Sequence, residues 1–188
     1  MIRSKADLVE YMEADKNNLG RITKKPSIFD TTWKFEIALR KLEYYSNTPS
    51  TPIKKIKKNY WRLKHRVLEV LCGFEIPINV FGKGLSIAHQ GNIVVNPYAR
   101  VGENCRIHVG VNIGTAAGPE RLVPKIGNNV YIAPGVKIFG DIEIANGVAI
   151  GANAVVCKSF LEDDITIVGI PAKKISDKGS KGFMNNYK

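Results

Sequence analysis

The sequence predicts a left-handed parallel β-helix of hexapeptide repeats with an α-helical region ahead of it, and three observations lead there. Apolar residues recur every six positions at Val95, Val101, Ile107 and Ile113, and again at Ile126, Ile132, Ile138, Ile144, Ile150 and Val156. A second apolar register falls four residues after most of these, at Ala99, Cys105, Val111, Val130, Val136, Ile142, Val148, Ala154 and Phe160. Between the registers stand Gly, Asn, Pro and Asp, as in IGNNVY and IAPGVK. A step of six fits neither a helix at 3.6 nor a half-buried strand at 2, and a fixed period of this kind marks a solenoid of stacked units. Each repeat reads as a short strand and a sharp corner, with three repeats closing a triangular coil. Both apolar registers then point inward, and successive strands stack roughly 4.8 Å apart. A β-sandwich would space its turns more loosely, roughly every 8–12 residues.

The elements follow in order. Residues 1–72 carry helical patterns from Lys5 to Asn17, Thr32 to Tyr45 and Pro52 to Leu71. Ser4 with Asp7, and Thr31 or Thr32, are the expected helix starts. KKPSIFD and SNTPSTP punctuate as loops. Two unlike halves meet near Gly73, and residues 73–165 form the β-helical domain. Its early coils are less regular, with Ile76, Ile78, Leu85, Ile87 and Ile93 apolar and a slip in phase around HQGN. Ile113 and Ile126 lie thirteen apart, so GTAAGPERLVPK is expected to contain an extruded loop, a common way to build one wall of a site. Residues 166–188, beginning around VGIPAKKI and becoming polar and Gly-rich, read as an extended tail that frays at its end.

Composition narrows the function classes. A chain of 188 residues buries a core as one domain with an appendage, and 44% hydrophobic with 24% charged residues is ordinary for a soluble globular protein. The acidic residues of MIRSKADLVEYMEADKNN show no secretion signal, and no apolar run approaches the roughly 20 residues that span a bilayer. Cys72, Cys105 and Cys157 are too few and too scattered for a disulfide framework, and Cys105 falls on an inward register. A cytoplasmic protein is expected. Much of the net charge of +11 comes from KKIKKNYWRLKHR, residues 54–66. Tyr60 and Trp61 within it superficially suggest nucleic acid. Ile53, Ile56, Trp61, Leu63 and Val67 to Leu71 instead make it an amphipathic helix running into apolar sequence, its lysines a solvated face. Contact with an anionic membrane, a lipid-linked glycan, or an anionic cofactor or substrate is the further use of that charge. No nucleic-acid partner is expected.

From Gly73 to Ile175 the chain resembles the serine acetyltransferase branch of the hexapeptide-repeat acyltransferases. The residues that carry the likeness are FEIPINVFGKGLSIAHQGNIVVNPYARVGENCRIHVGVNIGT, PKIGNNVYIAPGVKIFGDIEIANGVAIGANAVV and VGIPAKKI, and LVEYMEAD is similar to short members of the branch. The resemblance implies acetyl transfer from acetyl-CoA to a hydroxyl, without a metal, by a homotrimer with sites between neighbouring prisms. It implies that His89 is the general base: a hydroxyl attacks a thioester only as its proton is removed, and imidazole, with an ordinary pKa of about 6.5, is available for that near neutral pH. Glu75 matches the acidic partner of that base if one residue is deleted, and would orient it. His108 contacts acceptor or donor, or faces solvent, and His65 is structural or exposed. Backbone N–H groups at Gly114 and Thr115 are the candidates for holding the oxyanion. Main-chain groups at Ala133, Pro134, Gly135, Gly151 and Ala152 would run beside the pantetheine arm of the cofactor, and Lys173 and Lys174 would answer its phosphates.

The chain departs from that branch where serine would be gripped. Ala88 stands where the branch has Asp before the histidine, and Leu122-Val123 stand where it has Arg-His before Pro124-Lys125. A zwitterionic amino acid needs charged partners when it loses water. The expected acceptor is therefore a sugar hydroxyl, in a polysaccharide or its lipid-linked precursor, with His108 and Val123 on the acceptor side. Serine O-acetyl transfer in cysteine biosynthesis and a non-catalytic scaffold are the alternatives. A zinc carbonic anhydrase needs three converging histidines, and the coils hold two, His89 and His108.

Overall fold

A computed structural model describes residues 1–117 and 119–184. Helix α1 (Lys5–Asn18) starts on the capping box expected from Ser4 and Asp7, whose side chains each accept the other's backbone N–H at 3.0 Å. Helix α2 (Thr31–Asn47) is capped one residue earlier than Thr31 suggests, because the Asp30 carboxylate reaches the N–H of Trp33 at 3.3 Å. Helix α3 (Pro52–Cys72) begins on the Thr51 side chain with Pro52 at its first position, where no N–H is missed, and stops at Gly73, which takes the left-handed φ of 75°.

From Gly73 the chain winds into a left-handed parallel β-helix with three faces. The first is β1 (Phe74–Glu75), β3 (Ile93–Val95), β6 (Asn112–Gly114), β9 (Lys137–Phe139) and β12 (Val155–Val156). The second is β4 (Arg100–Val101), β7 (Lys125–Ile126) and β10 (Glu143–Ile144), extended by bridges from Phe81 and Phe160. The third is β2 (Ser86–Ile87), β5 (Arg106–Ile107), β8 (Tyr131–Ile132), β11 (Ala149–Ile150) and β13 (Thr166–Val168), with β14 (Lys173–Ser176) added antiparallel. All ten residues of the first apolar register are buried, and each contributes roughly 1.5–3 kcal/mol through area removed from water. Cys105 lies in the second register, and burial pushes its thiol up to about 12.

Both irregularities in the period become insertions at corners. Ladder partners such as Ile126 and Ile144 stand 18 residues apart, but Ile87 and Ile107 stand 20 apart and Val101 and Ile126 stand 25 apart. The first excess sits at residues 88–92 between β2 and β3; the second is the loop between β6 and β7.

The two ends of the prism are closed differently. The first coil has no coil before it, so its backbone would lack partners there. Helices α1 and α2 supply them. Asp15 accepts the N–H groups of Gly84 and Leu85 at 2.8 and 2.9 Å, Glu43 that of Asn79 at 2.7 Å and Glu36 that of Ile87 at 2.9 Å. Arg40, fully buried, donates to the carbonyls of Phe81 and Gly82 at 3.0 and 2.6 Å and to Asp15 and Glu43 at 2.7 and 3.0 Å. At the far end the parallel ladder runs through Val168 into β14 and a 3₁₀ turn, Ser180–Phe183. The segment expected as a fraying tail therefore folds back on the prism: Ser180 donates its N–H to Gly147 O at 2.8 Å and its hydroxyl to Asn129 O, and Met184 is buried. Residues 185–188 lie outside the described residues.

Helix α3 is amphipathic, but only part of its apolar surface is buried. It turns His65, Leu68 and Cys72 inward, with Trp61 half-buried beside them and His65 5.0 Å from the ring of Phe35. Ile56, Leu63 and Val70 are 67–72% exposed. Phe35, Ala38 and Leu39 of α2 already fill the seam, so the broader apolar stripe of α3 faces outward. Among the described residues no helix is long and apolar enough to cross a membrane.

Candidate active site

The third and first faces meet along one edge of the prism, and most of the expected site residues stack there. The edge is made by residues 88–92, 108–111, 133–136 and 151–154, each the corner between one strand of the third face and the next strand of the first. The two-residue insertion bulges the uppermost corner and leaves His89 exposed on it. His108 lies one coil below, with its ring centroid 6.0 Å from that of His89 and 5.2 Å from that of Tyr131. Phe183 from the C-terminal turn stacks on Tyr131 at 4.8 Å. His108 is 8% exposed, and among the described residues its buried Nε2 has no hydrogen-bond partner. Burial, then the charge of Arg106, lowers its pKa to about 4, so it stays neutral near pH 7. Burial likewise takes His65 to about 4, a structural histidine of α3.

Below the histidines the edge is a strip of small residues: Ala133, Pro134 and Gly135, then Gly151 and Ala152. The N–H groups of Ala133, Gly135 and Gly151 are committed to Ile150, Val109 and Ile167 carbonyls at 2.9–3.0 Å. The strip is therefore a surface of small residues with these three donors already used. Gly135 has φ 78°, and Asn153 Oδ1 occupies the space a Cβ would need, so the corner requires glycine.

Other expected residues do not gather at this edge within one chain. Glu75 is exposed on β1, in register with Val94 and two residues past Gly73, which packs against Gly91 of the corner; among the described residues no hydrogen bond joins it to His89. Gly114 and Thr115 sit at the opposite edge of the first face, where the loop departs. That loop packs on its own edge: Asn96 donates to Glu120 O at 3.4 Å, and Arg121 covers the ring of Tyr98 at 5.1 Å. Val123, expected beside the acceptor, is 6% exposed and joins the core, because Pro124 and β7 draw it under the loop; Leu122 is exposed. Lys174 is ion-paired with Glu162 and with Asp177 at 2.6 Å, whereas Lys173 is exposed with no ion pair among the described residues.

The structure also adds residues that spacing did not reveal. Arg21, Ser27, Phe29, Asp30, Thr31 and Thr32 wall a hollow with Ala88, His89 and Gln90. Arg21 and Asp30 bridge each other at 2.8 Å, and the Gln90 amide donates to Thr31. The polar group Asp30-Thr31-Thr32 before an amphipathic run is a cap signal, but nothing in it says that the cap faces His89.

A family model described as bacterial transferase hexapeptide (six repeats) matches residues 124–158. Serine acetyltransferases are among the similar curated proteins. That of Synechococcus elongatus is 37% identical over 120 residues, covering 63% of this chain and 49% of that protein. That of Staphylococcus xylosus is 39% identical over 131 residues, covering 68% and 60%. The chain is a hexapeptide-repeat protein similar to the serine acetyltransferases. It spans about half to three-fifths of the length of these relatives. Two solved serine acetyltransferases share the hexapeptide-repeat fold over nearly the whole chain. The Neisseria gonorrhoeae structure matches with a TM-score of 0.69 at 24% identity, covering 92% of this chain and 68% of that one. The soybean structure matches with a TM-score of 0.70 at 23% identity, covering 91% and 70%.

Proposed function

We propose that the protein is an acetyl-CoA-dependent O-acetyltransferase that works at the His89 edge. The observation that supports this most is the stack itself: an exposed imidazole on the same edge as a strip of small residues, with His108 between them. A serine acetyltransferase from Brucella abortus of the same fold, at a TM-score of 0.64, is described in complex with coenzyme A. His89 takes the acceptor's proton as its oxygen attacks the thioester carbonyl, then returns a proton to the departing thiolate. The oxyanion needs backbone donors, for which Gly114 and Thr115 are the candidates. They sit at the opposite edge of the same face, so the reading requires a homotrimer in which one chain's loop meets the next chain's His89. The strip would carry the pantetheine arm, with Lys173 freer than Lys174 to meet a phosphate.

The serine acetyltransferase relatives support L-serine as the acceptor over the sugar expected from residues alone. A sugar hydroxyl is the second reading, favoured by Ala88, by the burial of Val123 and by a hollow whose two charges neutralise each other. The test is thiol release from acetyl-CoA on mixing the protein with L-serine and with a panel of sugars and nucleotide-sugars. Release with serine supports the first reading, and release with a sugar alone moves the acceptor to the second. No acceptor-dependent release would overturn the acetyltransferase reading.

A further inference from the structure

We infer that the outward face of α3 docks the protein on a membrane surface carrying anionic lipids. Ile53, Ile56, Tyr60, Leu63, Val67 and Val70 recur at alternating steps of three and four, which keeps them on one stripe of the helix. All six are 49–72% exposed, and among the described residues nothing covers the stripe. At 100° per residue, Lys57 and Lys64 border it on one side and Lys55, Arg62 and Arg66 on the other. The helix's one acid, Glu69, is turned inward at 9% exposed and pairs with Arg66 at 3.2 Å, which leaves Lys55, Lys57, Arg62 and Lys64 as the cations with no ion pair among the described residues. The outer surface of α3 is thus an apolar stripe about 26 Å long, edged by cations and the neutral Asn59, with no acid on either border.

That composition suits a helix lying in the plane of a lipid interface. Its apolar side chains enter the acyl boundary while lysine stems carry their ammonium groups up to the headgroups. A second copy of the chain would set Lys57 and Lys64 against the same cations, so like charge opposes self-pairing along the stripe. The net charge of +11 works in the same direction. Charge complementarity selects an anionic surface, and the unbroken stripe requires that surface to accept apolar side chains as well.

The inference stands apart from the acetyl-transfer reading, and its test needs no turnover. The full chain is sedimented with phosphatidylcholine vesicles and with mixed phosphatidylcholine–phosphatidylglycerol vesicles, and its mass is measured in solution. Binding is expected to the mixed vesicles alone, weakening with salt. Lys55→Gln, Lys57→Gln and Lys64→Gln together should weaken it about a hundredfold, from roughly fivefold each. Leu63→Ser with Val67→Ser should abolish it while leaving the unfolding midpoint unchanged, because both side chains are exposed. Unimpaired binding by that apolar variant would overturn the inference, since charge alone would suffice. So would an absence of vesicle binding. In that case a fall in mass on Leu63→Ser with Val67→Ser would assign the face to another copy, and an unchanged mass would leave it to an acidic protein partner.

Discussion

The two ends of the prism meet the same physical problem and solve it with different chemistry. At the C-terminal end, the last coil is closed by backbone: β14 adds a strand and the Ser180–Phe183 turn folds over a face. At the N-terminal end, a first coil with no predecessor is closed by the side chains of Asp15, Glu36, Arg40 and Glu43. A backbone closure is built from neutral groups that satisfy one another. A side-chain closure buries charge, and buried charge is secure only while every partner remains. Arg40 illustrates this: burial alone would lower its pKa, but the carboxylates of Asp15 and Glu43 outweigh it and hold the guanidinium charged.

The difference is broken most directly at Arg40. Arg40→Ala strands two buried carboxylates and two coil carbonyls, and should cost about 3–5 kcal/mol in a urea titration. Glu36→Gln should act in the opposite sense and more weakly. Burial, then the charge of Asp15, raises the Glu36 pKa well above the carboxylate range. The folded chain therefore keeps a proton that the unfolded chain releases above pH of about 4.5, and stability declines as pH rises from there. Glutamine retains an oxygen for the Ile87 N–H without that proton, so the variant should melt higher than wild type near pH 7 and lose its advantage toward pH 4.5. Ser180→Ala, at the neutral end, should cost only about 1 kcal/mol. Equal losses for Arg40→Ala and Ser180→Ala would remove the distinction between the ends.

Acid acts on the molecule through its two buried histidines. His65 and His108 each hold a pKa of about 4, against about 6.5 for a free imidazole. Between those values the unfolded chain binds protons that the folded chain refuses, so their share of stability is lost as pH falls from about 6.5 to about 4. Unfolding midpoints measured across that window should fall for wild type and flatten for His108→Asn.

Much of this molecule is legible in its sequence because the prism is periodic. Val95 through Val156 announce the coils, and the two breaks in their spacing become the bulge bearing His89 and the loop after Gly114. The N-terminal closure carries no such signal. Asp15 meets Gly84 and Arg40 meets Phe81 through contacts of long separation, and Arg40 stands among charged residues that look solvated. Helix α3 shows a further limit. Its pattern reports a contrast between two sides but not which side meets protein, and that depended on how much of the seam Phe35 and Leu39 had filled. Val123 was misplaced for a similar reason, since the spacing located the loop but not the inward turn of one side chain.

Acetyl transfer at the His89 edge is tested most directly by His89→Ala. With the acceptor found in the thiol-release panel, this variant should lose roughly 10²–10⁴-fold in acceptor-dependent turnover. Its unfolding midpoint should stay unchanged, because the imidazole is exposed. Wild-type turnover by His89→Ala would contradict the claim and move the chemistry to another part of the prism.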